Sequence, residues 1–268
     1  MFENIIKNVH NRHPLIHCIT NYVSINDCAN IVLACGGAPI MAEDINEVSQ
    51  ITSICQGLDI NIGMLNDNKL SSMLKAGATA NELGIPVILD PVGAGSSDYR
   101  IKAVQNLMSN VQFGVIRGNV SEIKAIAAKQ GIHNIAAGVY ETMQKNKSAM
   151  GVEAGIADKI TDDNIKEMAD FINKLSKKTG AVIAVTGGID MVADENRVYA
   201  IRNGHKMMSL VTGAGCQLSA LTSAYVAADK EHILESVCAA VSVMGISGEL
   251  AYRRMAETAF TPFRLAGL

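Results

Sequence analysis

Short apolar runs rich in Ile and Val alternate with longer stretches of helical period along this chain. That alternation constrains its fold more than any other feature. Residues 15–20, 38–41, 58–62, 86–89, 113–116 and 181–185 end at turn residues and read as strands. Between them the period predicts helices over about 24–35, 45–56, 67–83, 99–110, 119–131 and 161–179. Strands that are apolar on both faces and separated by helices assemble into a mostly parallel sheet with helices on both sides. The expected class is therefore α/β.

Two stretches depart from the alternation. Residues 191–193 and 198–201, flanking Asp194-Glu195-Asn196-Arg197, predict a short antiparallel hairpin. Residues 133–160 are rich in Ala, Gly, Lys and Asn with weak period, and read as a surface insertion with a helical excursion between 137 and 148. From Gly215 onward the chain reads as nearly all helical, with small pairs such as Ser219-Ala220, Ser223-Ala224 and Ala227-Ala228 that permit close helix packing. No repeat or linker divides residues 1–268, so one domain is expected.

Composition narrows the function classes. At 268 residues, 49% hydrophobic and 18% charged, the chain can bury one large core. A net charge of −3 and a pI near 6.1 give no electrostatic reason to bind nucleic acid or an anionic membrane. The six cysteines form no CxxC pair, and Met1-Phe2-Glu3-Asn4 lacks the basic-then-apolar order of a signal peptide. Free thiols in a reducing cytoplasm are expected. No unbroken apolar run reaches the roughly 20 residues that span a bilayer, so a soluble chain is expected.

In a parallel sheet, ligands gather beyond the carboxyl ends of the strands. Several polar residues fall there. Leu89-Asp90-Pro91-Val92-Gly93-Ala94-Gly95 sets a carboxylate between a buried strand and a glycine-rich loop, either as a metal or catalytic group or as the start of a turn. Arg117 follows another strand, and Asn119-x-x-Glu122 has by itself the pattern of a capping box. Thr186-Gly187-Gly188 closes a third strand as either a ligand loop or a turn. Met41 reads as core on composition alone, and His17 and Asn21 as satisfied polar groups at a strand end. Finally, Val211-Thr212-Gly213-Ala214-Gly215-Cys216 runs into an apolar helix. A glycine-rich turn that opens a helix leaves N–H groups unpaired at the positive end of the dipole, which makes residues 213–216 an anion seat.

The coincidence of these residues at one sheet edge weighs more than any one of them. Together they contain what phosphoryl transfer needs: the seat, two carboxylates (Asp90, Glu122) suited to Mg²⁺, and a cation (Arg117) for nucleotide phosphates.

The late Gly-Ala-Gly-Cys turn with Asn119-x-x-Glu122 upstream resembles the ribokinase-like superfamily, a three-layer α/β/α fold, whose members usually carry Asp where this chain has Cys216. Within it, Pro14-Leu15-Ile16-His17-Cys18-Ile19-Thr20-Asn21-Tyr22-Val23, Ala29-Asn30, Gly37-Ala38-Pro39-Ile40-Met41 and the 89–95 segment resemble the hydroxyethylthiazole kinase family. Cysteine at the aspartate position is typical of that family. The resemblance implies ATP- and Mg²⁺-dependent phosphorylation of 4-methyl-5-(2-hydroxyethyl)thiazole, a salvage step toward thiamine, in homotrimers with interfacial active sites. It implies thiazole contacts at Asn21, Met41 and Gly213, nucleotide contacts at Arg117 and Thr186, acidic residues near magnesium at Asp90 and Glu122, and a catalytic base at Cys216.

A thiol titrates near 8.5, although a helix N-terminus can lower that value. Because phosphoryl transfer passes through a loose transition state, a strong base is not required. The expectation is that the N–H groups and Mg²⁺ carry most of the rate, with Cys216 a modest base or polar spacer. The rival readings are a pyrimidine kinase, a nucleotide-dependent dehydratase of the same fold, and a non-catalytic sensor with a redox-sensitive Cys216.

Overall fold

A computed structural model describes residues 2–132 and 159–258. The expected excursion between 137 and 148, and most of the 133–160 insertion, lie outside the described residues. Among the described residues, eight strands form one sheet: β1 Leu15–Ile19, β2 Ala38–Ile40, β3 Gly57–Asn61, β4 Val87–Asp90, β5 Val115–Asn119, β6 Val182–Thr186, β7 Asp190–Ala193 and β8 Val198–Ile201. Their order is β2-β1-β3-β4-β5-β6-β7-β8. The first six run parallel, and β7 and β8 close the edge as an antiparallel hairpin on β6. The α/β class and the hairpin are as the sequence predicts.

Helices cover both faces. One face carries α3 Val48–Ile54, α4 Asp67–Glu82, α5 Asp98–Asn110, α6 Val120–Lys129 and α7 Ile165–Thr179. The other carries α1 Phe2–Arg12, α2 Ile25–Ala34, α8 Ala214–Ala228 and α9 Ile233–Thr258. The period of two along each strand divides the side chains between these cores. Val87 and Leu89 pack with Met73 and Leu107 on the first face, while Ile88 packs with Leu221 and Val237 on the second.

Local signals set the helix starts. The side chain of Asn66 caps α4 by accepting from Lys69 N at 2.8 Å, and that of Ser97 caps α5 by accepting from Arg100 N at 3.2 Å. Gly180, at φ 72°, ends α7 in the left-handed region. The small residues of α8 let it lie close on the sheet: a Cβ added at Gly57 of β3 would come within 3.1 Å of Ala227 Cβ.

Two sequence expectations need correction. The sequence reading has no counterpart for α1, whose Ile5 and Val9 are buried one turn apart. Helix α9, over Ile233–Glu257, has the length and mean hydropathy (1.5) to cross a membrane by composition alone, so apolar length is present where none is expected. Charged residues such as Glu235 and Glu249 break the run in the sequence, and half of this stretch is buried inside the fold, as in the core helix of a folded domain.

Candidate active site

The carboxyl ends of β1, β3, β4, β5 and β6 open toward the N-terminus of α8, and every predicted site residue lies at these ends, at the end of β2, in the first turn of α6 (Glu122) or at the start of α8. Gly213 is the N-cap of α8 at φ 79°, a left-handed conformation that favours glycine. A Cβ there would also stand 2.7 Å from Ser24 Cβ. In the first turn, Ala214 N donates to Val211 O at 3.3 Å and Gln217 N to Gly213 O at 2.8 Å. The expected anion seat therefore loses Ala214 N, and the donors left without a carbonyl are Gly213 N, Gly215 N and Cys216 N.

Arg117 lies against this seat. A Cβ on Gly215 would meet Arg117 Nη1 at 2.8 Å, so a larger residue there would displace the guanidinium from its place at the helix end. Arg117 Nη2 donates to Thr186 Oγ1 at 2.6 Å, while Nη1 stands 3.7 Å from Asp90 Oδ1 as an ion pair too long for a good hydrogen bond. Its Nε is buried without a partner. A cation turned toward the positive end of a helix dipole is electrostatically unfavourable unless an anion joins them. The two together present a cation and unpaired N–H donors to the same point, an arrangement that suits an anion.

Asp90 is wholly buried at the end of β4. Its Oδ2 accepts from Asn61 Nδ2 at 2.8 Å and Ser219 Oγ at 2.9 Å, and its Oδ1 has no hydrogen-bond partner. Burial pushes the carboxyl up to about 6, against the pull of the Arg117 charge. Glu122 forms the capping box of α6: Oε2 accepts from Asn119 N at 2.8 Å while Asn119 Oδ1 accepts from Glu122 N at 2.9 Å. Its Oε1 accepts from Gly93 N at 2.8 Å, which fixes the glycine loop after β4 to α6.

These acids fit a magnesium ion in kind. Asp90 Oδ1 is an orphaned buried oxygen, and each Glu122 oxygen keeps a second lone pair for a bound water. Among the described residues no group of three or more His, Cys, Asp or Glu side chains could hold a metal alone. Such an ion would share its coordination with phosphates and water, as magnesium commonly does.

Cys216 is 9% exposed. It accepts from Asn21 Nδ2 at 3.1 Å, and the same amide donates to Asn61 Oδ1 at 3.1 Å. A continuous chain thus runs Cys216–Asn21–Asn61–Asp90–Ser219. Burial, with the Asp90 charge, pushes the thiol above its ordinary value despite the helix dipole and its hydrogen bonds. The sequence leaves open a lowered value, and the site supplies the opposite. Met41 packs against the apolar cluster that contains Cys216, Cys28 and Ala220. His17 is a satisfied core histidine, with Nδ1 2.9 Å from Thr52 Oγ1 and Nε2 2.8 Å from Ala42 O.

Sequence reasoning missed Asn61, Ser219, Ser24 and Asp190. Asn61 sits at a strand end and Ser219 one turn after Cys216, so the rules of strand ends and helical period reach both. Asp190 holds Gly187 N at 2.8 Å, fixing the turn after Thr186, and burial raises it to about 6. Asp59, on the same face of β3 as Asn61, is wholly buried with neither oxygen bonded, and burial pushes it well above the carboxylate range.

The hydroxyethylthiazole kinase family model matches residues 6–161 and 133–266. The chain belongs to the hydroxyethylthiazole kinase family. A hydroxyethylthiazole kinase of Clostridium acetobutylicum is 52% identical over 257 residues, covering 96% of this chain and 88% of that protein. The structure of the hydroxyethylthiazole kinase protein from Pyrococcus horikoshii OT3 is similar with a TM-score of 0.80 at 31% identity, over 99% of this chain and 90% of that one. The Bacillus subtilis ADP/ATP-dependent NAD(P)H-hydrate dehydratase, at a TM-score of 0.59 and 11% identity, over 100% of this chain and 94% of that one, shares the fold alone. Membership of the hydroxyethylthiazole kinase family makes this chain a kinase, with the β1 end and the α8 turn that the sequence resemblance rests on.

Proposed function

We propose that residues 1–268 act as one kinase domain that transfers the γ-phosphoryl group of ATP to the primary alcohol of 4-methyl-5-(2-hydroxyethyl)thiazole, a salvage step toward thiamine in the cytoplasm. The observation that carries this reading is the convergence of Arg117, Thr186 and the free N–H groups of α8 beside Cys216. Family membership supports the choice of acceptor.

We assign Arg117 and Thr186 to the nucleotide phosphates, and the N–H groups of Gly215 and Cys216 to the transferring phosphoryl group. Asn21, Met41 and Gly213 are assigned to the thiazole, which brings its hydroxyl up to Cys216. Asp90 and Glu122 would hold a Mg²⁺ ion, which would supply charge neutralisation to the nucleotide phosphates. With a thiol held mainly protonated, Cys216 orients the attacking hydroxyl, and only its small thiolate fraction takes the hydroxyl proton to become the thiol, which makes it a modest base. Most of the rate then comes from alignment and fixed charge.

A homotrimer with interfacial sites belongs to the same reading. Its support is that Tyr22, Val23, Met64 and Leu210, on segments flanking Asn21, Gly63 and Gly213, are large apolar side chains left exposed. Light scattering on the purified protein tests it.

A coupled assay of ADP release, run with hydroxyethylthiazole against hydroxymethylpyrimidine, tests the activity. Magnesium-dependent turnover of the thiazole in preference to the pyrimidine is expected. Equal or absent turnover of the thiazole overturns the assignment.

A further inference from the structure

Lys69 lies in the first turn of α4, where an ammonium meets the unfavourable end of the helix dipole, yet only 4% of the residue is exposed. Its ammonium meets three groups. Nζ donates to Thr20 O at 2.5 Å, pairs with Glu43 Oε2 at 2.8 Å, and sits 4.4 Å from the centre of the Tyr22 ring. Tyr22 OH donates in turn to Glu43 Oε1. Burying an ammonium in this way carries a desolvation cost, and an apolar side chain of similar volume is often no less stable. The partners explain its presence. Thr20 precedes Asn21 at the end of β1, and Glu43 follows Met41 and Ala42 at the end of β2. The two segments that carry Asn21 and Met41 are therefore joined through one ammonium.

We propose that Lys69 is a positioning residue that sets the width of the alcohol-acceptor pocket by clamping the Asn21 turn to the Met41 segment. Among the described residues the partners of the Lys69 ammonium are Thr20, Glu43 and Tyr22, and none belongs to the nucleotide side built on Arg117, Thr186 and α8. This rests on the assignment of Asn21 and Met41 to the thiazole given above. The consequence is a selective defect: loosening the clamp weakens acceptor binding and leaves nucleotide binding alone.

Lys69→Met, an apolar substitution of similar length, tests it. The KM for hydroxyethylthiazole is expected to rise at least about tenfold, with kcat and the KM for ATP within about threefold of wild type. An unchanged thiazole KM, or a parallel change in all three constants, overturns the clamp. Glu43→Gln, on a side chain 40% exposed, decides the matter where Lys69→Met does not fold. It keeps the Thr20 contact and removes only the charge, so a selective rise of roughly two- to fivefold in thiazole KM is expected and none overturns the proposal. Hydrogen exchange of the 21–24 and 41–44 amides reads the clamp without turnover. Faster exchange confined to these segments in Lys69→Met is expected, and unchanged exchange overturns it. A wild-type enzyme that shows no thiazole turnover fails the functional reading, and the exchange result still judges the clamp.

Discussion

The amide of Asn21 donates to the sulfur of Cys216 at 3.1 Å, joining the end of the first strand to the start of α8 across most of the chain. That contact orients the thiol, and through Asn61 it connects to the wholly buried Asp90. Cys216 is thus held in place by a network while its proton is held by burial.

A thiol kept protonated cannot supply a large general-base effect. Cys216→Ala is expected to lower kcat by no more than roughly 10²-fold, at the bottom of the general-base range, with the fold intact by circular dichroism. Cys216→Ser is expected to retain more activity than Cys216→Ala, because a hydroxyl still accepts from Asn21. A loss in kcat beyond about 10⁴-fold for the alanine variant would show that the base carries the reaction.

Arg117 works through geometry as well as charge, since its fork reaches Thr186 while facing both Asp90 and the helix end. Arg117→Lys keeps the charge and loses the fork. It is expected to raise the KM for ATP and lower kcat/KM by about 10- to 100-fold, leaving thiazole affinity near wild type in binding titrations. Wild-type ATP kinetics in this variant would remove Arg117 from the nucleotide site.

Asp90 gives a pH signature in the free protein. Its folded value, about 6, lies above the ordinary 3.8, so the native state disfavours the ionised form. The stability this group contributes is present below pH about 4 and is lost as pH rises through about 6. Two units correspond to about 3 kcal/mol. Asp90→Asn, whose amide oxygen still accepts from Asn61 and Ser219, is therefore expected to gain stability relative to wild type between pH 4 and pH 8, by up to about that amount in urea unfolding. Parallel stability curves for the two proteins would sink the prediction. At pH 7 the same variant is expected to lose at least about 10³-fold in activity, as the proposed assignment of Asp90 to Mg²⁺ requires.

Gly213→Ala is doubly unfavourable, from φ 79° and from the 2.7 Å approach to Ser24 Cβ. A cost of about 1–3 kcal/mol is expected from the backbone alone. Thermal unfolding checks it, with Gly131→Ala as a control for a left-handed glycine that has open space around it. Equal losses in the two variants would show that the contact with Ser24 contributes nothing.

The class of fold was legible because it depends on local pattern. Runs of Ile and Val at strand length, helical period between them, and turn residues at 194–197 are properties of neighbouring residues, and they led to the α/β sheet and its hairpin without any contact being known. Asn119-x-x-Glu122 was legible for the same reason: a capping box closes within four residues. The six cysteines, none of them disulfide-bonded, follow the same local reading. Helix α1 was missed because a single amphipathic stretch at the start of the chain lacks flanking strands to frame it. Helix α9 was misjudged because scattered charges hide its apolar length.

The sequence by itself determined the alternation, the caps and the residue types at the strand ends, all set by the nearest few residues and by backbone sterics. Only the tertiary structure decided what those residues do to one another. That Asn61 and Ser219 hold Asp90, that Ala214 N is spent within the turn, that Cys216 titrates high instead of low, and that Lys69 ties two strand ends together all depend on groups far apart in the chain. Burial and Coulomb interactions act through space, and no local pattern encodes them.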